Sequence, residues 1–261
     1  MCGRILILSL IVYLQQAHAT TEGFYAERGM YGFVAAITEQ GKFICGGTIV
    51  SKYFIISAAH CFKRGSNHTH IKAIVGTHDL SQATSEHIKN VTNVVIHPRF
   101  SVINMDFDIA VVRLEDPLLL EQENLQRINL AENFDAYYDD DAVALGWGHG
   151  GERDTQPPSR LRYVPVYVWN RRTCNSKHIW GEHAHYIYGP LVSERMLCAS
   201  VPDGGSGTCD NDDGAALVAE EEFLGIMSWR FDCHSIHKPS VYTSIPLLRT
   251  WIIRVLGNFP H

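Results

Sequence analysis

The chain has 261 residues, of which 46% are hydrophobic and 19% are charged, and these fractions exclude an intrinsically disordered chain. Its formal net charge of −6 argues against nucleic acid or an anionic membrane surface as a partner. The length suits one domain of two packed lobes, because β-barrel chains reach this size.

The first 19 residues have the features of a secretory signal peptide. Arg4 supplies a positive start, residues 5–14 are almost wholly apolar, and Ala17–Ala19 forms a small-residue cleavage pattern. A membrane anchor is the alternative, but the apolar run is well short of the about 20 residues that a membrane helix needs. We therefore expect a secreted, extracellular protein whose mature chain begins near Thr20.

Short runs rich in β-branched and aromatic residues, separated by turn residues, predict an all-β fold. The predicted strands are 33–37, 48–57, 72–75, 91–96, 109–114, 142–145, 164–168, 223–228 and 241–244. Apolar residues at helical spacing predict a helix over 246–256. Charge clusters between residues 115 and 138 interrupt the strands, so we expect lobes at 20–125 and 126–245 within one domain, 20–261.

Several short motifs follow one another along the chain. Ser57–Cys61 is S-A-A-H-C, Asp108–Leu114 is D-I-A-V-V-R-L, and Gly146–Gly148 is G-W-G. Cys209–Leu217 is C-D-N-D-D-G-A-A-L, and Ser228-Trp229 follows it. In order and spacing these motifs resemble those of the chymotrypsin/trypsin-like serine protease family, in which the fourth reads C-x-G-D-S-G-G-P-L. The resemblance implies two six-stranded antiparallel β-barrels with a C-terminal helix.

The same resemblance assigns the residues of a catalytic triad. His60 takes the position of the general base, Asp108 that of the orienting carboxylate, and Asp213 that of the nucleophilic serine. A carboxylate has no proton for His60 to remove, whereas the serine hydroxyl of an active triad has one. Asn211 and Asp213 take the oxyanion-hole positions, where a carboxylate places negative charge against negative charge. We therefore expect a degenerate triad and a protein that is not an enzyme.

The specificity pocket is also expected to be altered. Arg230, Asp232 and Ser240 stand where the family usually has glycines, so a long side chain should fill or cover the pocket. The residues that the resemblance places at this pocket are Gly207, Thr208, Ser228, Trp229, Arg230 and Ser240.

Cysteines and sequons are consistent with an oxidising compartment. Cys2 would be removed with the signal peptide, and the even number of cysteines that remains allows many pairings. The resemblance implies three of them: Cys45–Cys61, Cys174–Cys198 and Cys209–Cys233. Asn67 and Asn90 begin N-glycosylation sequons.

No cofactor or metal is expected. Thr77 stands where many trypsins begin a calcium loop with glutamate, which lowers the charge available to the ion. His178, His183 and His185 raise the alternative of zinc, but histidines scattered over one solvated loop are the simpler interpretation.

The leading hypothesis is a secreted, catalytically inactive homologue that acts as a monomer by binding protein, as a decoy, cofactor or regulator of active proteases. The partner would be a protein, with neither nucleic acid nor membrane involved. The alternative is an enzyme with residual or altered hydrolytic activity that uses Asp213 or a metal-bound water. A third interpretation is a degraded copy with little selected function.

Overall fold

The computed structural model describes residues 23–62, 68–120, 124–133, 140–148, 159–175, 192–202, 207–208, 212–230 and 238–259. The strands in these ranges are β1 (Phe24–Tyr25), β2 (Val34–Glu39), β3 (Lys42–Ile49), β4 (Phe54–Ser57), β5 (Ile71–Val75), β6 (Ile88–Ile96), β7 (Ala110–Leu114), β8 (Asn129–Leu130), β9 (Asp141–Gly146), β10 (Arg162–Trp169), β11 (Met196–Ser200), β12 (Ala216–Ala219), β13 (Glu222–Trp229) and β14 (Ser240–Ser244). The helices are α1 (Arg171–Cys174) and α2 (Ile245–Gly257), and three-residue 3₁₀ turns lie at Ala59–Cys61, His68–His70 and Leu80–Gln82.

The first barrel closes in the strand order β2-β3-β4-β7-β6-β5. Its interior is filled by β-branched and other aliphatic side chains, which suit a closed, pleated surface. Ile37, Ile49, Ile55, Val112 and Leu114 are completely buried there.

The second barrel closes in the order β10-β11-β14-β13-β12-β9, because β9 also pairs with β10. β1 adds to the edge of β10, and β8 pairs in parallel with β13. Leu217, Leu224, Met227 and Tyr242 are buried in its core. The fold is therefore two closed six-stranded antiparallel barrels, as the resemblance implied.

A shared core joins the two barrels. Phe33 and Ile56 from the first barrel belong to the same buried cluster as Trp147 and Ile226 from the second. The terminal helix α2 adds Ile245, Leu248 and Ile252 to that cluster, and its helical apolar spacing is the reason it packs there. No helix in the described part of the chain has the length and apolar character needed to cross a membrane.

The strand predictions need correction in several places. The run 48–57 is two strands, because the chain turns at residues 50–53, where the Ser51 hydroxyl accepts from the Tyr53 N–H at 3.3 Å. Strands β11 (Met196–Ser200) and β12 (Ala216–Ala219) were missed: all of their side chains are buried, so they lack the alternation that marks a half-exposed strand. The two-residue strands β1 and β8 were missed as well.

Candidate functional site

His60 and Asp108 meet where two paired strands of the first barrel end. His60 lies in the 3₁₀ turn after β4, Asp108 lies just before β7, and the pairing of β4 with β7 brings the two together. The Nδ1 atom of His60 is 2.7 Å from Oδ2 of Asp108, and the His60 backbone N–H donates to Oδ1 at 2.8 Å. Ser228 in β13 donates its hydroxyl to Oδ2 of Asp108 at 2.6 Å. Asp108 is completely buried, and these donors supply the hydrogen bonds that a buried carboxylate needs.

Asp213 faces the other nitrogen of His60. Its Oδ2 atom lies 3.9 Å from Nε2 of His60, and its side chain is 36% exposed. The next residue, Gly214, has a φ of +76°, and a Cβ there would lie 2.5 Å from the carbonyl oxygen of Gly46. The Gly46 N–H donates to the Asp213 carbonyl at 2.8 Å, so contact with the first barrel fixes this loop.

Arg230 extends from the end of β13 to the same carboxylate. Its Nη1 atom lies 3.2 Å from Oδ1 of Asp213, and its side chain is 12% exposed. Asp108, His60, Asp213 and Arg230 therefore form a row in which each negative group lies beside a positive one.

The two carboxylates control the charge of His60. Burial lowers the pKa of His60, but the contacts and charges of Asp108 and Asp213 outweigh it and raise the pKa to about 10. Burial raises the pKa of Asp213, but His60 and Arg230 hold it below its ordinary value. At neutral pH the site is therefore an imidazolium between two carboxylates, and an ionised carboxylate accepts hydrogen bonds without donating any.

Two hydroxyl side chains predicted to lie at the specificity pocket are in contact with each other. Thr208 and Ser240 are buried, and their Oγ1 and Oγ atoms lie 2.5 Å apart. Thr208 also contacts the Met227 sulfur at 3.6 Å. Gly207 precedes them with a φ of +70°. Trp229 ends β13, and Arg230 follows it directly.

Asp212 anchors the loop from the other side. It is buried, and its Oδ1 accepts from the Gly148 N–H at 2.8 Å. A Cβ at Gly146 or Gly148 would collide with this carboxylate, so the G-W-G motif is explained by close approach of the Asp212 side chain.

The remaining predicted site residues fall in two groups. The structure contains the Cys45–Cys61 disulfide, beside His60, and the Cys174–Cys198 disulfide. Asn90 is exposed and donates to Glu115 at 2.8 Å. Outside the described residues lie the proposed leader with Thr20, Asn67, the histidines of residues 178–185, Cys209, Asn211, Asp232 and Cys233.

In the described ranges, one group of residues has potential metal-binding atoms close together: Cys45, His60 and Cys61. Its two cysteines form a disulfide, so no thiolate is available there to bind a metal ion.

The two barrels and the His60–Asp108 pair in the cleft between them define the fold class of the serine proteases. The family model described as Trypsin matches residues 21–252, and the chain belongs to that family. It is 33% identical to Transmembrane protease serine 11C of Mus musculus, over 98% of this chain and 56% of that protein. It is 27% identical to Trypsin-3 of Salmo salar, over 90% of this chain and 92% of that protein. It is 33% identical to Trypsin of Saccharopolyspora erythraea, over 81% of this chain and 86% of that protein. The chain thus spans about half of the transmembrane protease and most of each trypsin.

These findings contradict the prediction that the chain is not an enzyme. The matching family is Trypsin, and all three relatives are named as proteases. That prediction was drawn from a few residues of the cleft, whereas the family match covers nearly the whole chain, and it is wrong. Membership supports the broader statement that this is a trypsin-like serine protease fold.

Proposed function

We propose that this chain is a secreted, monomeric member of the Trypsin family whose cleft binds an extracellular protein, and that it regulates proteases as a decoy or cofactor. The observation that carries the proposal is the ion pair between Arg230 and Asp213. Arg230 pairs with the Asp213 carboxylate, and that carboxylate lies beside His60 at the centre of the cleft.

The exposure of these groups supports recognition at the cleft. The side chain of Asp213 is 36% exposed and that of His60 is 22% exposed, so polar groups of a partner can reach both. Charged groups that are already held in place lose little conformational freedom on binding, which favours specific contacts.

The contact between two hydroxyl side chains at the predicted pocket supports recognition by surface contacts. The Thr208 and Ser240 hydroxyls lie 2.5 Å apart and bond to each other, so each already has a polar partner within the chain. A partner would therefore contact the charged row and the surrounding rim.

Secretion is supported by two separate features. The first 19 residues have the composition of a signal peptide, and the described part of the chain contains two disulfides, which persist in oxidising compartments. Expression in secretory cells, followed by N-terminal sequencing of the product in the medium, tests this part; product retained with an uncleaved leader contradicts it.

The binding test compares matched variants. Immobilised wild-type chain, the double variant Asp213→Asn/Arg230→Gln and the surface variant Glu132→Gln are incubated with panels of purified extracellular proteases and with their native fluid. We expect a partner that binds wild type and Glu132→Gln equally and binds the double variant at least about tenfold more weakly, a change of about 1.4 kcal/mol. Equal binding to all three contradicts recognition at the cleft.

Hydrolysis is measured in the same samples with a peptide library. Cleavage that is lost in His60→Gln would show that the cleft also turns over a substrate, and the comparison of variants would still decide whether it binds a partner. The broader assignment to the Trypsin family would be unaffected by either result.

A further inference from the structure

A partly buried ion pair joins the two barrels beside the site. Asp106 lies in the connection between β6 and β7, two residues before Asp108, and is 9% exposed. Arg195, just before β11, donates from Nε to Oδ1 of Asp106 at 2.9 Å and from Nη2 to Oδ2 at 2.7 Å. Ser193 adds a hydroxyl donor to Oδ1 at 2.7 Å. The bidentate geometry fixes the carboxylate in orientation as well as in position.

The backbone on both sides of Asp106 is in an unfavourable conformation. Met105 has a φ of +55° and Phe107 a φ of +56°, in the left-handed region that side chains other than those of glycine, asparagine and aspartate rarely adopt. Oδ1 of Asp106 accepts from the Phe107 N–H at 3.1 Å, and the Asp106 carbonyl accepts from the Ser101 N–H at 3.1 Å. The carboxylate therefore bonds to the second barrel and to the strained backbone at once.

Arg195 also holds Phe107 by its ring. Its guanidinium carbon lies 4.6 Å from the centre of the Phe107 ring, and that of Arg99 lies 4.3 Å away. The His97 ring stacks on the same phenyl ring at 4.6 Å. These contacts bury Phe107 and orient the residue that directly precedes Asp108.

We propose that Asp106, Arg195 and Ser193 form a latch that positions Asp108, and through it His60, by holding residues 105–107 in their strained conformation. Asp108 accepts from two nitrogens of His60 at 2.7 and 2.8 Å, so a small displacement of its backbone changes both contacts. The inference concerns the same site as the proposed function and adds positioning residues that do not touch the cleft.

The alternative is a purely structural contact between barrels, which would change stability and leave His60 unaffected. The pKa of His60 separates the two, because Asp108 and Asp213 are the groups that raise it. Removing Asp106 or Arg195 alone also changes the charge near His60, with opposite signs for the two residues. The double variant Asp106→Asn/Arg195→Gln leaves the net charge unchanged.

The experiment is an NMR titration of the His60 imidazole in the full chain, with folding checked by near-UV circular dichroism. We expect the double variant to lower the pKa of His60 by about 1 unit or more, a tenfold change in proton affinity. Each single variant should also lower the pKa of His60, because loss of either partner would displace Asp108 and weaken its contacts with His60. The control Glu132→Gln/Arg249→Gln removes an exposed pair and should leave the titration as in wild type.

A wild-type titration in the folded double variant overturns the latch. Opposite shifts in the two single variants also overturn it, because they reveal through-space charge alone. If the double variant does not fold, Arg195→Lys is the deciding variant, because it keeps the positive charge but loses the planar guanidinium that makes two parallel hydrogen bonds. A lowered pKa of His60 in this variant supports the latch, and a wild-type pKa contradicts it. The titration uses no ligand, so its failure is distinguishable from failure to capture a protein partner.

Discussion

The two barrels contribute halves of the cleft whose charges are held in different ways. In the first barrel, Asp108 is fully buried, and three donors bond it at 2.6 to 2.8 Å. In the second, Asp213 is 36% exposed, and its cationic neighbours lie 3.2 and 3.9 Å away. One carboxylate is part of the interior, and the other is part of a partly open surface.

The difference shows where such a site can change without loss of the fold. A charge in the interior must keep its partners, because burying it alone is costly. A group at the cleft keeps some contact with water, so its identity can change at lower cost. The unusual residues Asp213 and Arg230 both belong to this second half.

The strongest test of this comparison is Asp108→Ala. The substitution leaves the buried Ser228 hydroxyl and the partly buried His60 without their acceptor, and we expect a loss of about 3–5 kcal/mol in the free energy of unfolding. Urea unfolding at pH 7 measures it. Glu132→Ala, which breaks the exposed pair with Arg249, should cost at most about 1 kcal/mol. Equal costs for the two would remove the distinction between interior and surface charge.

The pH dependence of stability tests the charge on His60. Its pKa is about 10 in the folded chain and 6.5 in a model peptide, so the folded state binds the proton more tightly. The stabilisation is full below pH 6.5 and declines as the pH rises toward 10. Its slope approaches about 1.4 kcal/mol per pH unit within that window.

The measurement is the difference between wild type and His60→Gln in urea unfolding from pH 6 to 10.5, since the other groups titrate in both chains. A difference that stays constant or grows with pH would contradict an imidazolium held by two carboxylates.

The motifs predicted much of the fold and of the first half of the site. They identified the two-barrel architecture and placed His60 and Asp108, because such motifs fix backbone positions in a recurrent fold. The single strand predicted over 48–57 failed because a turn stabilised by Ser51 interrupts an apolar run without glycine or proline to mark it.

Side-chain contacts between distant residues were not predictable. Asp106 and Arg195 are 89 positions apart, and Thr208 and Ser240 are 32 apart. Nothing in the residues themselves indicates these pairings, because packing of the two barrels creates them. Arg230 was expected to cover the pocket, but its ion pair with Asp213 depends on a rotamer that the sequence does not specify.

A smaller effect is expected from Asp213→Asn. Removing this charge takes away one of the two anions that raise the pKa of His60, and we expect that pKa to fall by about 1 unit. NMR titration of the imidazole measures the change, with Asp141→Asn, an exposed residue on β9, as the control. An unchanged pKa would mean that Asp108 alone sets the charge of His60, and that the second half of the cleft is electrostatically separate from the first.

The smallest expected effect concerns the predicted pocket, where the second half is as buried as the first. The Thr208 and Ser240 hydroxyls lie 2.5 Å apart in a buried setting, and a hydrogen bond of this kind contributes about 1 kcal/mol. We expect Thr208→Val and Ser240→Ala each to destabilise the chain, and the double variant to cost less than the sum of the two. A double-mutant cycle by urea unfolding should give a coupling of about 1 kcal/mol, whereas Thr92→Val, which alters an exposed hydroxyl, should couple to neither. Strict additivity of Thr208→Val and Ser240→Ala would show that the two hydroxyls do not stabilise the chain by bonding to each other. In that case neither the Asp213 carboxylate nor the Thr208–Ser240 pair would be held as firmly as Asp108 is in the first barrel.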